Sequence, residues 1–129
     1  VTLVEFELSG CETESFEAQL QLDEGNYEAA YKGALSAMLH AAKALIKTQW
    51  LDVPDAADEI VKEFRERFCD TELFYNQFAG PKFANYLFRV HEEEISEYTQ
   101  DVAHRVIEEG QLFIEQAYAC YGRMNVVNA

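Results

Sequence analysis

From Gly25 to Trp50 the apolar positions of the chain keep helical time for about six turns. Tyr27, Ala30, Tyr31, Ala34, Leu35, Met38, Ala41, Ala42, Leu45 and Ile46 recur at i, i+3, i+4 and i+7, the stripe a helix needs to bury one side. Many of these positions are alanine, which lets a neighbouring helix approach closely. A period of two would mix charged and apolar residues on each face, so no strand fits here.

The same period recurs elsewhere. Ser9 and Glu12 have capping-box spacing, and Phe16 and Leu20 lie one turn apart, predicting a first helix over about residues 11–24. The opening TLVEFELSG is rich in β-branched and aromatic residues and reads as an extended arm over residues 1–10, or the stub of a preceding domain. Gly25 suits a helix end and Asn26 a helix cap, so the first two helices should form an antiparallel hairpin. Pro54 ends the long helix, and Asp52 or Asp55 can cap a third that carries Ala57, Ile60, Val61, Phe64 and Phe68 as far as about Cys69.

Residues 72–79 predict a short helical insert containing Phe74, Tyr75 and Phe78, broken by Gly80-Pro81. A helix with Phe83, Tyr86, Leu87 and Val90 follows. A last helix over about 94–121 carries Ile95, Tyr98, Val102, Val106, Phe113, Ala117 and Cys120, and Gly122 marks its stop before a tail over 123–129. Within HEEEISE, His91 to Glu97, the acids read as a solvated helix start with Ile95 in register. The expected fold is all-α: an antiparallel up-and-down bundle of four main helices over residues 11–122, with roughly 65–75% helix, well above the average globular share.

Composition narrows the possible partners. The chain has 129 residues, enough for one domain with a core, and is 49% hydrophobic. Ten Lys and Arg are dispersed among 24 Asp and Glu, a net charge of −14. Polyanions need a basic patch, so no nucleic acid is expected as a partner. No apolar run reaches the roughly 20 residues that span a bilayer, so no membrane partner is expected either. Cys11, Cys69 and Cys120 are odd in number and widely spaced, which fits reduced, mostly buried thiols in a cytoplasmic protein better than disulfides or zinc ligands. The start at Val1 rather than Met suggests a processed protein or, in preference, a domain cut from a larger one.

Catalytic and metal signatures are thin. A di-iron bundle needs Glu-x-x-His on two helices; Asp101-Val-Ala-His104 supplies one approximate half, and Ala37 stands where the other would precede His40. No glycine-rich phosphate loop or nucleophile elbow is present, and no catalytic residue, metal or cofactor is expected. His40, Lys43 and Lys47 sit on successive turns and could line a groove for an anion such as a nucleotide phosphate; otherwise the lysines reach to water and His40 lies at a helix contact.

The segment GNYEAAYKGALSAMLHAAKALIK, with the preceding FEAQLQLDEG and the later SEYTQDVAHRVIEEGQLFIEQA, resembles the HEPN family of small α-helical domains. The resemblance covers about two-thirds of the chain. It implies a four- or five-helix bundle, often a homodimer, that acts as a ribonuclease, as a companion of a nucleotidyltransferase, or as an accessory domain. The FAGPKFANYLF segment is similar to one at the end of sulfite- or nitrite-reductase-like proteins, although no siroheme or cluster-binding cysteine pattern is present. The family's ribonuclease branch carries an Arg, four to six residues, then a His. Here Arg89 occupies about the right place, but that interval leads only to Glu94, Ile95 or Ser96, and His91 follows after a single residue. The expected function is a non-catalytic interaction or accessory module whose partners are protein: a second copy, a catalytic partner domain, or both. A divergent ribonuclease using Arg89 and His91, and a nucleotide-binding partner of a nucleotidyltransferase, are the alternatives. His40, Lys43, Lys47, Arg89 and His91 are the candidate ligand-binding residues.

Overall fold

Five α-helices pack around one apolar core in the computed structural model, which describes residues 2–128, with side chains through residue 124. They are α1 (Leu3–Asp23), α2 (Tyr27–Ile46), α3 (Ala57–Phe64), α4 (Lys82–Glu92) and α5 (Gln100–Asn128). A single wide π-turn, Arg65–Cys69, extends α3. Helices hold 73% of the chain, and no strand occurs among the described residues. None of these helices is long and apolar enough to cross a membrane.

α1 and α2 form the expected antiparallel hairpin. Gly25 takes the left-handed φ of 83° between them, and the Asn26 N–H returns to the Gln21 carbonyl (2.8 Å). Asn26 stands at the cap position of α2, but its side chain donates to Gln21 Oε1 rather than capping. α5 lies antiparallel to α1, with the Tyr121 hydroxyl at Thr2 Oγ1 (3.0 Å). The alanines of α2 do what their size allows: Gly110 of α5 nests against Ala34 and Met38. Phe64 is the hub of an aromatic cluster with Phe68, Phe74, Phe88 and Phe113, at ring separations of 4.9–6.1 Å.

Several expectations are corrected. The extended arm over residues 1–10 is helix from Leu3 onward. Thr2 caps it, its Oγ1 accepting from the Glu5 N–H (3.1 Å), so Ser9 lies mid-helix. The buried face of α1 is Val4, Leu8, Cys11, Ser15, Ala18 and Leu22, whereas Phe16 and Leu20 point outward. Residues 72–79 are a loop rather than a helix. Asn76 Oδ1 accepts from the N–H groups of Phe78 and Ala79 (both 2.8 Å), and Asn76 pairs with Gly80 through both backbone groups. α3 is capped by neither Asp52 nor Asp55; Ala56 precedes it, and Asp55 instead pairs with Lys43. HEEEISE does not start the last helix. His91 and Glu92 end α4, and α5 opens only after Thr99, whose Oγ1 accepts from the Val102 N–H (3.2 Å). Nor does Gly122 end α5, which continues through Asn128 in place of the expected tail. One helical glycine costs about 1 kcal/mol, too little by itself to stop a long packed helix.

Candidate functional site

The five candidate residues fall into two separate places. His40, Lys43 and Lys47 line one groove of about 310 Å³ between α1 and α2, together with Glu7, Gly10, Cys11 and Glu14. Their helical spacing brings them together, but each already has an acidic partner. His40 Nδ1 lies 2.8 Å from Glu14 Oε1, Lys47 Nζ lies 2.8 Å from Glu7 Oε1, and Lys43 pairs with Asp55. Ser36 donates to the other Glu14 oxygen. An anion entering this groove would have to displace those carboxylates while passing two of them, so the groove balances its own charge. Cys11 in its wall is held as the thiol at neutral pH: burial and the neighbouring Glu14 and Glu7 push its pKa up to about 12.

Arg89 and His91 lie on α4 but diverge. Arg89 reaches α5, pairing with Glu109 and lying over the Tyr86 ring (5.4 Å), whereas His91 Nε2 reaches Asp58 on α3 (2.8 Å). Two positions on a helix differ by about 200° in direction, which explains the split. The residues that join Arg89 are ones the sequence reading passed over. Glu109 also accepts from Arg105 (3.4 Å), and Arg105 pairs with Glu93 in the connector before α5. The i, i+4 spacing of Arg105 and Glu109 was the available signal. Burial works against the Arg105 charge, but the Glu93 hydrogen bond and the nearby Glu93 and Glu109 carboxylates raise its pKa above the ordinary value. Beside this network the Tyr31 hydroxyl donates to the Val90 carbonyl (3.3 Å), and its ring meets that of Tyr98 edge-on at 5.3 Å. Every cation here is matched by a carboxylate, so the cluster is built to clamp α4 and its connector to α5. His104 stands apart, largely exposed beside Glu108, and no set of three metal-ligating side chains converges among the described residues.

What the surface does offer is unpaired apolar area. On α1, Phe6 is 70% exposed, Phe16 61% and Leu20 45%, all on the side opposite the buried face. Phe16 also walls a groove of about 360 Å³ between α1 and α5, lined by Glu12, Ser15, Gln19, Gln111, Ile114 and Glu115. A second apolar projection is the loop tip Phe78, 90% exposed. Arg123 braces that loop by donating to the Leu73 and Tyr75 carbonyls (both 3.0 Å), and Asn76 donates to Gln116 (3.2 Å). The chain matches no protein-family model and no curated protein.

Proposed function

We propose that this chain is a non-catalytic helical interaction module, HEPN-like in its arrangement, that serves a larger or partner protein. The observation that carries this reading is the outward face of α1, where Phe6, Phe16 and Leu20 stand in water although the core beneath is already filled by Val4, Leu8 and Leu22. Large apolar side chains kept outside a finished core are what a docking surface requires. The divergence of Arg89 and His91 supports binding over RNA cleavage, since a base and a cation must meet at one phosphate. The paired state of His40, Lys43 and Lys47 weighs against a nucleotide phosphate. Self-association as a homodimer is the second reading, favoured by the same exposed stripe.

The test has two arms. A photoreactive phenylalanine analogue at Phe16, expressed in the source cell, should yield one discrete protein adduct, and the same analogue at exposed Asn85 on α4 should yield none. The purified chain should leave RNA intact. Degradation of RNA that both Arg89→Ala and His91→Ala abolish would overturn the reading in favour of an enzyme.

A further inference from the structure

α1 has two faces with the same rhythm. Its buried positions, Val4, Leu8, Cys11, Ser15, Ala18 and Leu22, advance by steps of four and three, and so do the outward positions Phe6, Ser9, Thr13, Phe16 and Leu20. A seam of this kind is how one helix receives another lengthwise. The inner seam is occupied by α2 and α5, and among the described residues Phe6, Phe16 and Leu20 on the outer one stay exposed.

The charged residues that border the outer seam are all acids, interspersed with Gln19 and Gln111. Between Leu3 and Asp23, α1 contains no Lys or Arg. Glu7 and Glu14 are answered by Lys47 and His40 on the α2 side. Among the described residues Glu5, Glu12 and Glu17 have no cationic partner, and neither does Glu115 across the groove on α5. Ser15 adds an independent sign. It is 5% exposed and borders the same groove, yet its hydroxyl oxygen has no hydrogen-bond partner among the described residues. A buried hydroxyl without a partner costs about 1–3 kcal/mol, so the wall of this groove is not shaped for stability alone.

We propose that the α1–α5 groove and the outer face of α1 together dock one amphipathic helix of a partner protein, a helix that carries Lys or Arg on both sides of its apolar stripe. This rests on the interaction-module reading and adds the surface and the partner's chemistry. The occupant's apolar residues cover Phe16, Leu20 and Phe6, and its cations meet Glu12, Glu115 and Glu17. A second copy of this chain fits poorly, because a two-fold contact along α1 sets Glu12 and Glu17 of one copy beside the same acids of the other. The same border repels nucleic acid and anionic lipid.

The probes are three labelled synthetic helices of about five turns. One is a Lys/Leu peptide with its leucines on one face, the second has the same composition with leucines scattered around the helix, and the third is a Glu/Leu peptide patterned like the first. Each is titrated into the full chain at physiological salt and followed by fluorescence anisotropy. The patterned cationic peptide should bind roughly tenfold or more tighter than the scattered one, and the Glu/Leu peptide should not bind. Phe16→Gln combined with Leu20→Gln should weaken binding about tenfold at unchanged net charge, with circular dichroism verifying the fold. Glu12→Gln combined with Glu115→Gln should weaken it and flatten its salt dependence. Equal binding of the patterned and scattered peptides would reduce the attraction to net charge and overturn the proposal. Binding untouched by the Phe16/Leu20 change but lost in Phe78→Gln would also overturn it, while leaving the interaction-module reading standing. A homodimer dissolved by Phe16→Gln would assign the face to self-association and overturn the cationic partner alone.

Discussion

Gly33 of α2 faces Ala18 of α1 so closely that a β-carbon on Gly33 would meet the Ala18 β-carbon at 3.3 Å. Two helices at this distance leave no room for a larger residue at either position. Gly33→Leu should therefore cost about 1–3 kcal/mol by overpacking, read as a lower denaturant midpoint. Gly10, on the open side of α1, has no neighbour within 4 Å of such a β-carbon. Gly10→Ala should raise stability by about 0.5–1 kcal/mol through helix propensity alone. If both changes were neutral, the close α1–α2 contact would be disproved.

Glu109 is the hub of the clamp between α4 and α5. Its carboxylate is largely sheltered, with both Arg89 and Arg105 on it, whereas the Arg89 side chain is about half in water. Glu109→Ala leaves two guanidinium groups facing each other and should cost about 1–3 kcal/mol. Arg89→Ala should cost less than about 1 kcal/mol. The order of the two effects on thermal unfolding is the check. A larger loss from Arg89→Ala would show that the clamp is centred elsewhere.

The thiols should be silent at neutral pH. Burial, with nearby acids in two cases, pushes Cys11 and Cys69 up to about 12 and Cys120 up to about 11. Burial and the neighbouring Glu12 likewise push the Tyr118 hydroxyl up to about 12. An unfolded chain releases these protons from about pH 9, and the folded chain holds them. The unfolded state therefore binds fewer protons in that window, and stability falls as pH rises from about 9 toward 12. Denaturant midpoints measured across that range should decline steadily. In the native state, alkylation by iodoacetamide at pH 8 should be slow at all three thiols and become fast on unfolding.

The loop that carries Phe78 owes its shape to Asn76, which binds the N–H groups of Phe78 and Ala79 and reaches Gln116. Asn76→Ala should speed amide exchange across residues 72–80 and cost about 1 kcal/mol. Phe78→Ser should change neither stability nor exchange by a measurable amount, because its ring touches almost nothing.

Legibility differed from helix to helix for physical reasons. The stripe of α2 was plain because it is built from unambiguous apolar residues; of its ten predicted positions only Tyr27 and Leu35 are less than fully buried. α1 misleads in sequence because its inner seam contains Cys11, Ser15 and Ala18, which do not register as an apolar run, while Phe16 and Leu20 do and lie outside. Its first turn, Leu3 to Phe6, has the composition of a strand, and helix packing overrides that preference. In residues 72–79 apolar spacing suggested a helix, but Asn76 and Gly80 close a turn that leaves Phe74 in the core and Phe78 outside. His40, Lys43 and Lys47 share one groove, as their helical spacing suggests. Their partners on α1 and at Asp55 are invisible in sequence, since they are 12–40 residues distant and met only through tertiary packing.

Whether the outer face of α1 serves binding rather than folding is tested by one paired measurement on Phe6→Gln combined with Phe16→Gln. The variant should melt within about 3 °C of the parent, since both rings are mostly in water, while losing roughly tenfold or more of its affinity for the patterned Lys/Leu helix. A fall of about 10 °C or more, the loss expected of a core ring such as Phe113, would show that these side chains serve the fold. That result, or full retention of the affinity, would contradict the account.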